Sequence, residues 1–275
     1  MNARKLLAGA AAAVVITALA LSGAAPAFAA KGPGKPGGGG GGGGKELAYV
    51  ALGDSFAAGQ GGGSYLDTSC YRSNNGYPKK LDASRTLKLT AFPACAGSST
   101  LDALASQVPA IPAGTQRVTL TIGGNDVGFA TVMQNCFVFV STSSCEANLA
   151  TAEAMVSDGT MYARVASLVQ AVRAMVGPQA KIVVAGYPQL FHLPSQYAYA
   201  SRVNTDTSLL NDQVEAASVA NGATFVDVEA AFTGHGIGSP SPWINGFSIF
   251  NTTAAFHPNA TGYANYATLI APALG

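Results

Sequence analysis

The sequence predicts an α/β domain in which a five-stranded parallel sheet lies between two layers of helix. Short apolar runs alternate with longer helix-forming stretches, the pattern that βαβ crossovers impose. About 230 residues follow a glycine-rich tract, enough to bury a substantial core in one unit. No internal period suggests a repeat architecture.

The elements follow in order. Leu47–Leu52 is a continuous apolar run that reads as a buried first strand. It leads directly into Gly53-Asp54-Ser55-Phe56, so Ser55 falls where a strand passes into a helix and a side chain can be presented to solvent. Leu87–Ala91, extended by Phe92, reads as the second strand and Arg117–Ile122 as the third. Lys181–Gly186 and Ala223–Val228 supply the fourth and fifth. Helical stretches are expected near Glu153–Val176 and Gln196–Ala220, and a short terminal helix from about Ala260 to Ile270. In such a sheet the carboxyl ends of the strands converge on one edge, where ligands bind. Gly97 follows the second strand there, and Gly123-Gly124-Asn125-Asp126 follows the third.

The amino-terminal 45 residues are of another kind. Residues 1–29 carry Arg4 and Lys5, an apolar run from Leu6 to Leu21, and Ala27-Phe28-Ala29, a small-x-small cleavage site. This is the pattern of an export signal removed near Ala29. Residues 30–45 are nearly all glycine with two prolines, a composition too costly in entropy to fold and suited to a linker. The Gly44-Lys45 ending lacks the preceding strand and following Ser or Thr of a phosphate loop, so nucleotide binding is not expected. Residues 46–275 form the expected catalytic domain. They hold ten Lys or Arg against fourteen Asp or Glu, which gives no basic footprint for nucleic acid.

A serine hydroxyl attacks an ester at neutral pH only when a base takes its proton. The chain offers three histidines for that task, His192, His235 and His257. His192 lies in a Pro-flanked loop after the fourth strand, and His235 in Thr233-Gly234-His235-Gly236 is read as structural. Asp54 and Asp126 are read as turn residues that hydrogen-bond nearby backbone.

Gly53-Asp54-Ser55, Gly97, Gly124-Asn125-Asp126 and His257-Pro258, in this order, resemble the SGNH (GDSL) hydrolases over about Leu47–Leu274. Cys70-Tyr71-Arg72-Ser73-Asn74-Asn75 and Ala94-Cys95-Ala96-Gly97 are similar to segments of the secreted actinomycete lipases and phospholipases of that superfamily. The resemblance implies a flavodoxin-like fold, Ser55 as nucleophile and His257 as base. It also implies an oxyanion hole made of the Ser55 N–H, the Gly97 N–H and the Asn125 amide. Many members place an aspartate three residues before the histidine, where this chain has Ala254. A Ser55/His257 dyad is therefore expected, with a main-chain carbonyl at Ala254 or Ala255 orienting the imidazole. Asp227 and Glu229 are the remote carboxylates that offer an alternative.

Cys70, Cys95, Cys136 and Cys145 allow three pairings, and an oxidising destination favours disulfides. The family resemblance selects Cys70–Cys95 and Cys136–Cys145. Their spacing lacks paired Cys-x-x-Cys and no histidine cluster accompanies them, so neither a metal nor another cofactor is expected. The expected function is extracellular hydrolysis of lipid-like acyl esters by a monomer that meets a small-molecule or lipid substrate, the latter at a transient lipid interface. Phospholipase A activity, deacetylation of polysaccharides with Trp243 and loop tyrosines stacking on sugar, and non-catalytic surface binding are the alternatives.

Overall fold

The computed structural model describes residues 46–275. The expected export signal and linker lie outside the described residues. Five strands, β1 Leu47–Gly53, β2 Leu87–Ala91, β3 Arg117–Thr121, β4 Lys181–Ala185 and β5 Thr224–Val226, form one sheet in the order β2-β1-β3-β4-β5. Every neighbouring pair is parallel. β1 and β3 are thus central, and the order reverses beside β1, where chain ends open a crevice.

The helices are α1 Ser55–Ala58, α2 Tyr77–Asp82, α3 Thr100–Asp102, α4 Phe129–Met133, α5 Thr142–Ser157, α6 Thr160–Val176, α7 Ala200–Ala220, α8 Glu229–Phe232 and α9 Ala260–Leu274. α2 packs with α9 in one layer, and α6 packs with α3 and α7 in the other. This sandwich explains the unbroken apolar run of β1: Tyr49, Val50, Ala51 and Leu52 are buried because helices cover both faces. Buried tyrosines in this core each find a polar partner. Tyr49 Oη lies 2.7 Å from Thr119 Oγ1, and Tyr266 donates to the Gly186 carbonyl at 2.8 Å.

Some expected boundaries differ. The stretch 153–176 is not one helix: α5 begins earlier, at Thr142, and breaks from α6 at Asp158-Gly159. Gly159 sits at φ +83°, a left-handed conformation that ends one helix and caps the next, while Asp158 Oδ1 accepts the Thr160 N–H at 2.8 Å. α7 starts at Ala200 rather than Gln196. β5 is shorter than expected, three residues long. α9 runs past Ile270 to Leu274 because Pro272 falls in its last turn, where only a single intrahelical bond is lost.

Candidate active site

The turn after β1 is held by close packing as much as by hydrogen bonds. Gly53 takes φ +126°, and a Cβ there would run into the Thr121 carbonyl of β3, so only glycine fits. Asp54 N–H donates to that carbonyl at 3.0 Å. Gln107, buried beyond α3, takes the Gly53 N–H at 2.7 Å and donates Nε2 to the Gly53 carbonyl at 2.9 Å and to Ser98 Oγ at 3.1 Å. One side chain thus ties the Ser55 turn to the loop that carries Gly97.

Asp54 caps α1 by accepting the Phe56 N–H at 2.9 Å, and its other oxygen accepts from the Tyr187 hydroxyl. That hydroxyl in turn accepts the Gly124 N–H at 3.0 Å, linking the turns after β1, β3 and β4. Burial raises the Asp54 carboxyl from the usual range to about 7. Asp126 accepts the Thr100 N–H and hydroxyl at 2.9 and 2.7 Å and pairs with Arg164 at 2.9 Å. Asp54 thus bonds nearby backbone, as expected, whereas Asp126 instead ties its turn to Thr100 and Arg164, 26 and 38 residues away, because the fold brings those groups to it.

Ser55 and His257 are 7 % and 6 % exposed and meet at 2.8 Å between Oγ and Nε2. The opposite ring nitrogen, Nδ1, lies 2.8 Å from the Ala255 carbonyl oxygen. A carbonyl only accepts, so Nδ1 carries the proton and Nε2 presents its lone pair to the serine hydroxyl. The Ala254 carbonyl instead accepts the main-chain N–H of His257, at 3.2 Å. Neither remote carboxylate reaches the ring. Glu229 accepts from Ser208 and Asn211, both at 2.6 Å, and Asp227 accepts the Glu229 N–H at 2.8 Å.

The loop that carries His257 is shaped by Asn245. Its main chain accepts from Phe256 N–H at 2.7 Å and donates to the His257 carbonyl at 2.9 Å, and its side chain donates to the same carbonyl at 3.0 Å and to the Gly61 carbonyl at 3.2 Å. Between them, Phe256 is driven to φ +62°, a left-handed conformation costing a non-glycine residue roughly 1–2 kcal/mol. Asn259 then caps α9 through the N–H groups of Thr261 and Gly262, both at 3.0 Å.

Ser55, Gly97, Asn125, Ala255 and His257 line one cleft of about 560 Å³. The Ser55 and Gly97 N–H groups donate to no other group among the described residues. Asn125 spends one amide hydrogen on the Ser98 carbonyl, at 2.9 Å, which fixes the amide and leaves its second hydrogen available. Gly97 sits at φ +83° on a loop pinned by Cys95, whose N–H donates to Gly53 at 3.0 Å and whose sulfur is bonded to Cys70. The second disulfide joins Cys136 to Cys145.

Burial lowers the His257 pKa to about 4, against a smaller upward pull from the Ala255 carbonyl. The other histidines stand elsewhere. His235 stacks on Trp243 with ring centres 3.8 Å apart and bonds the Ser241 carbonyl at 2.7 Å. His192 is half-buried and donates its main-chain N–H to Ile237 at 3.0 Å. Among the described residues no group of three or more His, Cys, Asp or Glu is placed to hold a metal ion. Gln107, Tyr187, Arg164 and Asn245 escaped the sequence reading, because nothing local to them signals a partner so far away.

The arrangement has known relatives. Residues 51–264 match the model of the GDSL-like lipase/acylhydrolase family. Lipase 1 of Streptomyces coelicolor is 38 % identical over 221 residues, covering 78 % of this chain and 81 % of that protein. Among solved structures, an extracellular lipase from Streptomyces rimosus superposes with a TM-score of 0.76 at 34 % identity, covering 82 % of this chain and 99 % of that one. A phospholipase A1 from Streptomyces albidoflavus does so with a TM-score of 0.74 at 34 % identity, covering 83 % and 98 %. The chain is a carboxylic ester hydrolase and belongs to the GDSL-like lipase/acylhydrolase family.

Proposed function

We propose that the protein hydrolyses lipid-like acyl esters through an acyl-enzyme on Ser55, and that His257 acts as its base. The observation that carries this reading is the continuous relay from Ser55 Oγ through the His257 ring to the Ala255 carbonyl. As Ser55 Oγ bonds to the substrate carbonyl carbon, His257 Nε2 takes the hydroxyl proton. Negative charge collects on the former carbonyl oxygen, where the Ser55 and Gly97 N–H groups and the Asn125 amide are available, each worth roughly 3–4 kcal/mol. Collapse of the intermediate breaks the ester C–O bond, and the departing alcohol takes the proton from His257. Water then attacks the acyl carbon, gives its proton to His257, and the acid leaves as Ser55 recovers it.

An acyl substrate is favoured by the walls. Phe129 and Met133 of α4 line the cleft and also border an adjoining apolar cavity of about 620 Å³, lined further by Val132, Leu149 and Leu210. Phospholipase A activity is the second reading, supported by the likeness to the phospholipase A1 above. Sugar stacking has less support, since Trp243 already stacks on His235. Export with cleavage near Ala29 completes the proposal, and a mature protein that starts at Ala30 in culture medium is its test. Fluorophosphonate should label Ser55, and p-nitrophenyl esters of rising chain length, then phospholipids, should define the substrate. An unlabelled Ser55 in folded protein would leave only surface binding.

A further inference from the structure

Two loops at the mouth of the Ser55 cleft carry the four most exposed large apolar side chains among the described residues. Phe250 is 93 % exposed, Ile249 74 %, Phe139 70 % and Val140 66 %. Both loops belong to the cleft: Val138 and Phe139 line it on one side, and Phe247, Thr252 and Ala255 on the other. Exposed apolar side chains scattered singly are ordinary, but a concentration around one opening marks a surface that meets something apolar.

Each loop is closed at its base. The Cys136–Cys145 disulfide spans the first, and the pairing of Asn245 with Phe256 and His257 closes the second. The loop ends are thus fixed, and the tips face outward while their bases stay in the protein. The charge pattern narrows what they face. Neither residues 127–145 nor residues 230–275 contain a single Asp, Glu, Lys or Arg, although residues 46–275 as a whole carry a net charge of minus four. Anionic lipid is bound through clustered Lys and Arg, which are missing from both segments. A charge-free apolar rim gains free energy instead by leaving water, whatever the ionic strength. A second copy of the chain seated here would cover the cleft, whereas a lipid surface would bring esters to it.

We propose that the tips Phe139–Val140 and Ile249–Phe250 seat the enzyme on a lipid surface of no net charge, with the Ser55 cleft turned toward the lipid; this rests on the esterase reading of that cleft. The test uses Ser55→Ala protein, so that lipid is bound without being consumed, and sedimentation with phosphatidylcholine vesicles. Binding should persist to about 0.5 M salt. Adding Val140→Ser, Ile249→Ser and Phe250→Ser should weaken it at least about tenfold. With Ser55 restored, the same three substitutions should leave hydrolysis of dissolved p-nitrophenyl acetate within about twofold, since those side chains project away from the reacting atoms. The proposal is overturned if the substitutions leave vesicle affinity unchanged, or if only phosphatidylglycerol vesicles bind and salt releases them. A lipid-free dimer that the substitutions dissociate would equally overturn it, by making the patch a contact between copies. Failure of the parent protein to hydrolyse the dissolved ester would refute the esterase reading while vesicle binding still reports on the surface.

Discussion

Burial of His257 sets the pH at which the enzyme should fail in acid. Phe56 and Phe129 pack on the ring, with centres 5.0 and 5.9 Å from it, and keep water from the imidazolium. The pKa accordingly falls from 6.5 to about 4, a difference near 2.5 units or about 3 kcal/mol against protonation. Because the proposed base role of His257 requires the neutral ring in the free enzyme, about nine-tenths of the protein should be competent at pH 5. An ordinary histidine would leave about 3 %. The assay is kcat/KM for a dissolved p-nitrophenyl ester between about pH 3.5 and 8, with product read after an alkaline quench. Phe129→Ala is the perturbation. It removes one wall of the ring's surroundings on the cleft side, lets water solvate the cation, and should move the acid limb upward toward 6.5. A wild-type limb already near 6.5, or a limb that Phe129→Ala does not move in folded protein, would refute the link between burial and basicity.

The same burial has opposite consequences for stability at His257 and at Asp54. His257 binds its proton less readily folded than unfolded, so wild type relative to His257→Gln should gain stability as pH rises from about 4 to 6.5 and lose it on return. Asp54, raised from 3.8 to about 7, holds a proton that the unfolded chain releases, so wild type relative to Asp54→Asn should lose stability as pH rises through that window. Urea titrations at several pH values read both slopes, and a reversed sign at either residue defeats its assignment. Asn125→Ala should cut kcat by roughly a hundredfold or more with little change in KM, and a raised KM with kcat unchanged would place Asn125 in ground-state binding instead. Denatured, unreduced protein should show no free thiol; opening Cys70–Cys95, 25 residues apart, should cost about 3 kcal/mol in a thermal or denaturant melt. Asp227→Asn and Glu229→Gln should each keep kcat within about threefold, and a several-thousandfold loss in folded protein would make one of them the orienting acid after all.

What the sequence discloses is what is decided locally. Tyr49–Leu52 is buried on both faces and says so by having no charged residue, and Gly53 is forced by its closeness to Thr121 within a turn that a short motif can spell. The helix break at Gly159 was also written in the chain, but a glycine inside a helical pattern is tolerated often enough that periodicity alone runs through it. The braces of the site were hidden for a different reason. Gln107 acts 54 residues from Gly53 and Tyr187 acts 133 residues from Asp54, and each sits in a stretch whose own pattern gives no sign of the contact. Only the folded sheet brings the turns after β1, β3 and β4 to one edge, and only then do these side chains acquire partners.

That the histidine leans on a peptide oxygen rather than a side-chain acid has its own chemical cost and benefit. A carbonyl offers a dipole where a carboxylate offers a full charge, so it would steady the imidazolium of the proposed mechanism less well. In exchange, it cannot be protonated in acid, and it cannot be lost by changing the residue that bears it. The relay therefore asks nothing of the Ala254 and Ala255 side chains, which answer only to their buried surroundings, and heredity of the relay passes to whatever bends the chain's path: Asn245, with bonds on both sides of the histidine, and the strained Phe256 between them.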